Sequence, residues 1–412
     1  MLASKVRLLA SLVNPALLSS HFSKEYFTMS SRTTGKYVTT TVAGVTVKAF
    51  VPNALPPKLT AQELAALAEP IREAESAIAQ LRLAGEMIPS LDWFVYSFVR
   101  KEALLSSEIE GTQATLTDVL SYEQTGQPGS SDIADVEEVA NYVKAINYAF
   151  EEMNSKSGLP ISARLLDECH RRLMQGVRGE NKQPGEKRKS QVWIGGTRPG
   201  NAVFVPPPNE KVRDLLGDLE KYMHGDDSLP PILRTAAAHV QFETIHPYLD
   251  GNGRVGRMLI TLLFAHWGLL TSPLLYLSVY LKEHQNIYYD QLGRVRTHGD
   301  WAGWFSFFLE GVKEIADDAA TTASKLYKRV STDRKKILAS EAVTVSAIQL
   351  FELLPEHPVI SMPLVTKLLA TTKPTAGKAI EFLQSMDILS EIGERKRDRL
   401  YSYSNYLEVL EQ

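Results

Sequence analysis

A single cysteine, Cys169, is the chain's whole supply of thiol. It rules out an intrachain disulfide framework and leaves no zinc-finger spacing. Such sparing use suits a reducing compartment, and a cytoplasmic protein is expected. Long apolar runs are missing too: the longest, around Leu262 to Leu270, falls far short of the roughly 20 residues that cross a bilayer, so no membrane partner is expected. There is no excess of one charge, with 45 Lys and Arg against 48 Asp and Glu and a net of −3. That balance gives no global pull toward nucleic acid or an anionic surface. No internal repeat is visible. The composition that remains, 44% hydrophobic and 23% charged, excludes disordered, collagenous and coiled-coil classes. At about 150 residues per domain, 412 residues predict two to three domains.

Residues 1–36 carry Lys5, Arg7, Lys24, Arg32 and Lys36 against one acid, Glu25. A basic start followed by Leu8 to Leu18 is the pattern of a targeting peptide. Asn14 and Pro15 interrupt it, however, and no small-residue cleavage site follows. The segment reads better as a flexible tail, or as a start called too early with Met29 the true one. From Tyr37 to Phe50, β-branched residues around Gly44 predict a small hairpin, closed by Pro52-Asn53 and Pro56-Pro57. Helical spacing then takes over, with Leu64, Leu67, Ile71, Ile78 and Leu81 in one stripe and Trp93, Val95, Phe98, Val99 and Leu105 in another. Asp132 is placed to cap a helix reaching about Asn154, and another helix spans about Ser162 to Leu173.

Gly176 to Pro208 is the least helical stretch of the middle, rich in Gly, Pro, Lys and Arg, and loops that long are usually functional or disordered. A short hairpin is expected within it, involving Ala202, Val203, Phe204, Val205 and Pro206. Helices resume from Glu210 to about Lys328. After the polar run Ser324 to Lys336, the chain from Val343 onward reads as three helices and a β-wing around Gly393 to Arg397, the pattern of a winged helix. The fold class expected is mainly α. Its parts are a tail (1–36), a hairpin with helices (37–155), a helical core (156–325) and a winged-helix domain (340–412).

One stretch carries chemistry: His246-Pro247-Tyr248-Leu249-Asp250-Gly251-Asn252-Gly253-Arg254-Val255-Gly256-Arg257, followed by an apolar helix. Gly251-Asn252-Gly253 is a tight turn whose amides can converge on one point, and the helix dipole behind it adds positive character. Arg254 and Arg257 stand one turn apart, each a fork suited to phosphate oxygens. Asp250 at the lip would repel a phosphate unless a divalent cation bridged them. His246 can take a proton near neutral pH. Singly, each feature has an ordinary structural explanation. Gathered within twelve residues ahead of a helix, they are hard to assign to packing.

This string resembles the Fic family motif HPFxxGNGRxxR, with Tyr248 at the usual Phe. The likeness extends to Gly176-Val177-Arg178-Gly179, Pro184-Gly185, Arg188 and Trp193-Ile194-Gly195-Gly196, and downstream to Tyr276-Leu277-Ser278 and Tyr288-Tyr289. The resemblance implies a helical catalytic core that transfers AMP from ATP to a Ser, Thr or Tyr hydroxyl of a target protein. It implies His246 as the base and Asp250 as the ligand of Mg²⁺ or Mn²⁺. The phosphates would be held by Gly251, Asn252, Gly253 and Arg254, with Val255 and Gly256 in the same segment and Arg257 at the γ-phosphate. Tyr288 would contact the nucleotide, and Ala202 to Pro206 would act as a flap that docks the target segment by strand pairing.

A second pattern, Ser106-Ser107-Glu108-Ile109-Glu110-Gly111, puts Ser106 and Glu110 four residues apart at a helix end that Gly111 stops. Alone it is a helix terminus with incidental acids. Beside the Fic motif it resembles that family's inhibitory motif, which implies that Glu110 pairs with Arg257 and blocks the γ-phosphate's place. The function expected is thus an auto-inhibited protein adenylyltransferase, a homodimer, with removal of the added AMP left open. Two alternatives stand: a winged-helix DNA-binding regulator with a nucleotide-sensing site, and transfer of another phosphate-linked group. From Glu341 to Gln412 there are seven Lys and Arg against ten Asp and Glu, which disfavours DNA.

Overall fold

The computed structural model describes residues 32–86, 92–127, 129–393 and 399–411. Strands β1 (Gly35–Val42) and β2 (Val45–Pro52) pair antiparallel from Gly35↔Pro52 to Val42↔Val45. Ala43 and Gly44 both take positive φ, 48° and 79°, the two-residue turn whose twist suits a hairpin. This is the hairpin expected from the β-branched alternation. It docks on the loop-rich stretch: Val42, Val47 and Ala49 bury against Val205, and the Phe50 N–H donates to the Val205 carbonyl at 3.0 Å.

Helices follow: α1 (Ala61–Glu86), α2 (Asp92–Ile109), α3 (Leu116–Thr125), α4 (Ile133–Asn154) and α5 (Ala163–Leu173). Their ends are written in polar side chains. Thr115 caps α3 by accepting from the Asp118 N–H, and Asp132 caps α4 by accepting from the Ala134 N–H at 2.9 Å. Next come α6 (Val212–His224), α7 (Pro231–Ile245) and α8 (Asn252–His266). Helix α8 is apolar almost all round, with Val255, Met258, Leu259, Leu262 and Leu263 at 0% exposure. Such a helix has to lie inside the bundle, and α2, α4, α5 and α7 all pack on it. Helix α8 is therefore held in place by four neighbours.

Short α9 (Ser278–Glu283) and α10 (Gln285–His298) lead to α11 (Trp301–Leu338), a helix of 38 residues that lies along α1. At 1.5 Å per residue α11 is about 57 Å long. The polar run Ser324 to Lys336 is thus the far end of a helix and not an irregular linker. Its inward residues Leu326, Val330 and Ile337 remain buried.

The C-terminal part comprises α12 (Val345–Leu353), β3 (Val359–Ser361), α13 (Met362–Leu368), α14 (Lys373–Ser385), β4 (Ser390–Ile392), β5 (Leu400–Ser402) and α15 (Ser404–Glu411). The strands form an antiparallel sheet in the order β3-β5-β4. Strand β3 and helix α15 are additions to the expected three helices and wing. The basic tip with Arg395, Lys396 and Arg397 lies outside the described residues. The Tyr403 hydroxyl donates to Asp333 of α11 at 2.6 Å, and the Tyr406 hydroxyl to the Trp93 carbonyl of α2 at 3.1 Å. One apolar core runs from α1 through α15. Among the described residues no helix is long and apolar enough to cross a membrane.

Candidate active site

Between α7 and α8 the backbone turns twice through the left-handed region, at His246 (φ 50°) and at Gly251 (φ 74°). Side chains hold this loop rigidly. Asn252, 2% exposed, accepts from the Tyr248 N–H at 2.8 Å and donates to the Tyr248 carbonyl at 2.9 Å. Its amide group is therefore spent on the loop, and only its backbone N–H faces the task expected of the turn. The Tyr248 ring stacks on His170 at 3.9 Å, and its hydroxyl donates to Asp167 at 3.0 Å. His170 Nδ1 accepts from the Gly185 N–H at 2.8 Å, so Nε2 carries the hydrogen and donates to the Asp250 carbonyl at 3.0 Å. Burial pushes His170 down to about 4, which keeps it neutral. Arg188, buried, donates from Nε to the His246 carbonyl at 2.8 Å and from Nη2 to the Pro207 carbonyl at 2.5 Å.

Arg254 and Arg257 leave α8 one turn apart, but each meets its own carboxylate. Arg257, 2% exposed, donates from Nε to the Ser106 hydroxyl at 2.9 Å. Its Nη2 reaches the Ser106 carbonyl at 2.8 Å and Glu110 Oε1 at 2.7 Å. A Cβ on Gly253 would collide with that same Glu110 oxygen, so the carboxylate rests against the first turn of α8, where a helix favours an anion. Burial raises the Glu110 carboxyl, but Arg257, then Arg254 and His246, outweigh it and hold it below the ordinary range. Arg254, 3% exposed, instead donates from Nη1 to Glu138 of α4 at 3.2 Å, while its Nε is buried without a partner among the described residues.

His246 is half-buried. Burial, then the Arg188 guanidinium, push it down to about 4, against the pull of the Glu243 carbonyl and the Glu110 carboxylate. The imidazole is neutral and able to accept a proton. Asp250 is exposed at the lip, with Oδ1 accepting from the Gly251 N–H at 2.7 Å. Among the described residues no three His, Cys, Asp or Glu side chains gather. A lone carboxylate fits a Mg²⁺ whose other ligands are water and substrate phosphates. Val255 points wholly into the core, and Gly256 leaves room for Glu243, with whose Oε1 a Cβ would collide. Tyr288 is 1% exposed and donates its hydroxyl to His239 Nε2 at 2.8 Å, beneath Gly256. Its neighbour Tyr289 is 47% exposed.

The expected hairpin over Ala202 to Pro206 reduces to a single bridge, Ile194↔Phe204. Gly195 and Gly196 both take positive φ, and a 3₁₀ turn spans Pro199–Asn201, so no ladder can propagate. Val203 is 83% exposed, whereas Phe204 is buried under the Arg296 guanidinium at 4.1 Å from its ring. The residue that sequence reasoning missed is Glu138. The available signal was a charge at helical spacing with Tyr142, Ala145 and Ala149 on the buried face of α4.

Two family models match: the Fic/DOC family N-terminal model over residues 68–151 and the Fic/DOC family model over residues 160–264. The chain is similar to the protein adenylyltransferase Fic of Culex quinquefasciatus, 28% identical over 212 residues, which cover 51% of this chain and 39% of that protein. It is similar also to the protein adenylyltransferase Fic of Drosophila grimshawi, 27% identical over 51% of this chain and 40% of that protein. The chain thus spans about two fifths of the length of the curated relatives it matches. A Fic family protein from Desulfovibrio desulfuricans G20 shares the fold, with a TM-score of 0.53 and 20% identity over 84% of this chain and 98% of that one. Ser106, Glu110 and Glu138 lie in the first matched region and His246 to Arg257 in the second, so the site residues fall within the two stretches that are similar to the Fic/DOC family models.

Proposed function

We propose that the chain is an auto-inhibited protein adenylyltransferase that moves AMP from ATP to a Ser, Thr or Tyr hydroxyl of target proteins and of itself. The observation that carries this reading is the Glu110 carboxylate, bonded to Arg257 at 2.7 Å against the start of α8. An anion from the chain already sits where the motif would hold a phosphate. The adenylyltransferase name of the relatives supports the choice of AMP as the transferred group.

In this reading the backbone N–H groups of Asn252 and Gly253 hold phosphate oxygens at the positive end of α8, while the Gly251 N–H serves Asp250. Arg254 supports an anion here because its buried Nε lacks an acceptor among the described residues. Arg257 takes the γ-phosphate once Glu110 has left. His246 accepts the proton of the target hydroxyl. The hydroxyl oxygen then bonds to the α-phosphorus as the bond to the bridging oxygen breaks, and pyrophosphate departs with that electron pair. Asp250 would hold Mg²⁺ or Mn²⁺, which would offset the negative charge of the triphosphate. In segment 202–206 the exposed Val203 is the residue offered to a target strand, since Phe204 to Pro206 are buried.

The C-terminal helices and sheet read as a winged helix. Its acidic balance of ten against seven favours a protein contact, such as a homodimer, over DNA. The test of the reaction is where the label goes. Incubated with Mg²⁺, target lysate and ATP labelled at the α-phosphate, the Glu110→Gly protein should attach label to hydroxyl side chains. Attachment of label from the γ-phosphate instead would mean phosphate transfer and would overturn the reading.

A further inference from the structure

We propose that Glu138 is the positioning residue of the phosphate cradle, holding Arg254 and the loop that carries Glu110 through one carboxylate oxygen. The inference rests on the nucleotide-binding reading above and adds to it a residue outside the motif. Glu138 is 1% exposed on α4. Its Oε2 accepts from Arg254 Nη1 at 3.2 Å and from the Thr112 hydroxyl at 3.0 Å, and its Oε1 lies 3.4 Å from Arg178 Nε. A charge buried that deeply persists only when paired, so these contacts are obligatory.

The geometry divides the Arg254 guanidinium in two. Nη1 is taken by Glu138. Nη2 rests 3.5 Å from Met174 Sδ, a weak acceptor, and Nε is buried with no partner among the described residues. The Nε and Nη2 edge, a fork that matches two phosphate oxygens, is thereby left for an external anion. Glu138 thus fixes which edge of Arg254 faces service.

Thr112 gives the same oxygen a second duty. It lies two residues beyond Glu110, is 2% exposed, and its N–H returns to the Ser107 carbonyl at 3.3 Å. The stretch from Ser107 to Thr112 is therefore pinned to α4 at the atom that also holds Arg254. Loss of the Thr112 tether should loosen Glu110 without touching Arg257.

The test is ATP affinity with Mg²⁺, measured by calorimetry on full-length protein carrying His246→Ala to prevent turnover. In a Glu110→Gly background, Glu138→Ala should weaken ATP binding about tenfold or more, through loss of a charge-assisted pair. Glu138→Gln should recover most of that loss, because its amide oxygen still accepts from Arg254 and Thr112. Thr112→Val should tighten ATP binding several-fold when Glu110 is present and leave it unchanged in Glu110→Gly, a non-additive pattern. Binding of Glu138→Ala within about twofold of its parent would overturn the positioning role. So would a Thr112→Val effect that is equal in both backgrounds. Should Glu138→Ala fail to fold, Thr112→Val in the two backgrounds still decides the matter. A parent that binds no ATP would sink the nucleotide reading itself, and this inference with it. A parent that binds, with variants that do not differ, sinks this inference alone.

Discussion

Glu110 and Arg257 meet at 2.7 Å from unequal surroundings, the guanidinium side chain 2% exposed and the carboxylate side chain 36% exposed. A guanidinium that deep needs an anion at all times, whereas the carboxylate, about a third exposed, can turn toward water at less cost than the guanidinium. Removing a buried pair's partner with no replacement costs about 3–5 kcal/mol. Replacing it with a phosphate oxygen restores the contact. In the proposed function this pair exchanges one anion for another, and the acid is the member that moves. Ser106 completes the arrangement by occupying Arg257 Nε with its hydroxyl.

His246 touches no phosphate in the proposed mechanism, so His246→Ala should bind ATP as the parent does and transfer almost nothing. Loss of a general base typically costs about 10²–10⁴ in rate. A paired assay of ATP affinity and AMP transfer checks this. Transfer within about tenfold of the parent would remove His246 from the mechanism.

Asp250 stands alone as the motif's carboxylate, so transfer should need Mg²⁺ or Mn²⁺ and should be lost with a chelator. Asp250→Ala should need far more metal to reach half its maximal rate and should reach a lower maximum. A metal titration identical to the parent's would place the ligand elsewhere.

Glu102 offers a prediction on stability alone. It is 4% exposed and accepts from the Ser278 N–H at 3.0 Å, and burial pushes its carboxyl up to about 7. The folded protein therefore holds this proton more tightly than the unfolded chain. The resulting stability is full below the unfolded value of 4.5 and is lost as pH rises through about 7. Glu102→Gln keeps the acceptor and has no proton to lose. On going from about pH 5 to about pH 8, wild type should lose stability relative to Glu102→Gln by on the order of 3 kcal/mol. Urea unfolding of both proteins at the two pH values measures it, and a gap that stays constant would show that Glu102 is not protonated in the fold.

Local features were legible in the sequence because their causes are local. The hairpin from Gly35 to Pro52, the Asp132 cap and the turn at Gly251 each follow from neighbouring residues, and each stands where expected. Features that depend on distant partners were harder to see. Arg254 and Glu138 are 116 residues apart, and nothing in helical spacing joins a charge on α4 to one on α8. The pairing of Glu110 with Arg257, 147 residues apart, was reached through family resemblance and not through spacing. Strand β3, of three residues, is too short for alternation to register, and its pairing with β5 across some forty residues supplies what its sequence does not. The α11 helix outruns the polar run that suggested a boundary, because Leu326, Val330 and Ile337 keep a buried stripe through it.

The central claim is competition for one guanidinium, and the most direct measurement is the rate of AMP transfer, self-modification included, by wild type, Glu110→Gly and Glu110→Gly/Arg257→Ala at equal ATP. Removing the carboxylate leaves His246, Asp250 and the α8 turn intact and frees Arg257, so Glu110→Gly should be faster than wild type by about tenfold or more. The double variant should be poorly active, because the γ-phosphate then lacks its partner, and the two effects should fail to add. A rate that falls in Glu110→Gly would contradict the account, since the glutamate would then be serving structure or catalysis.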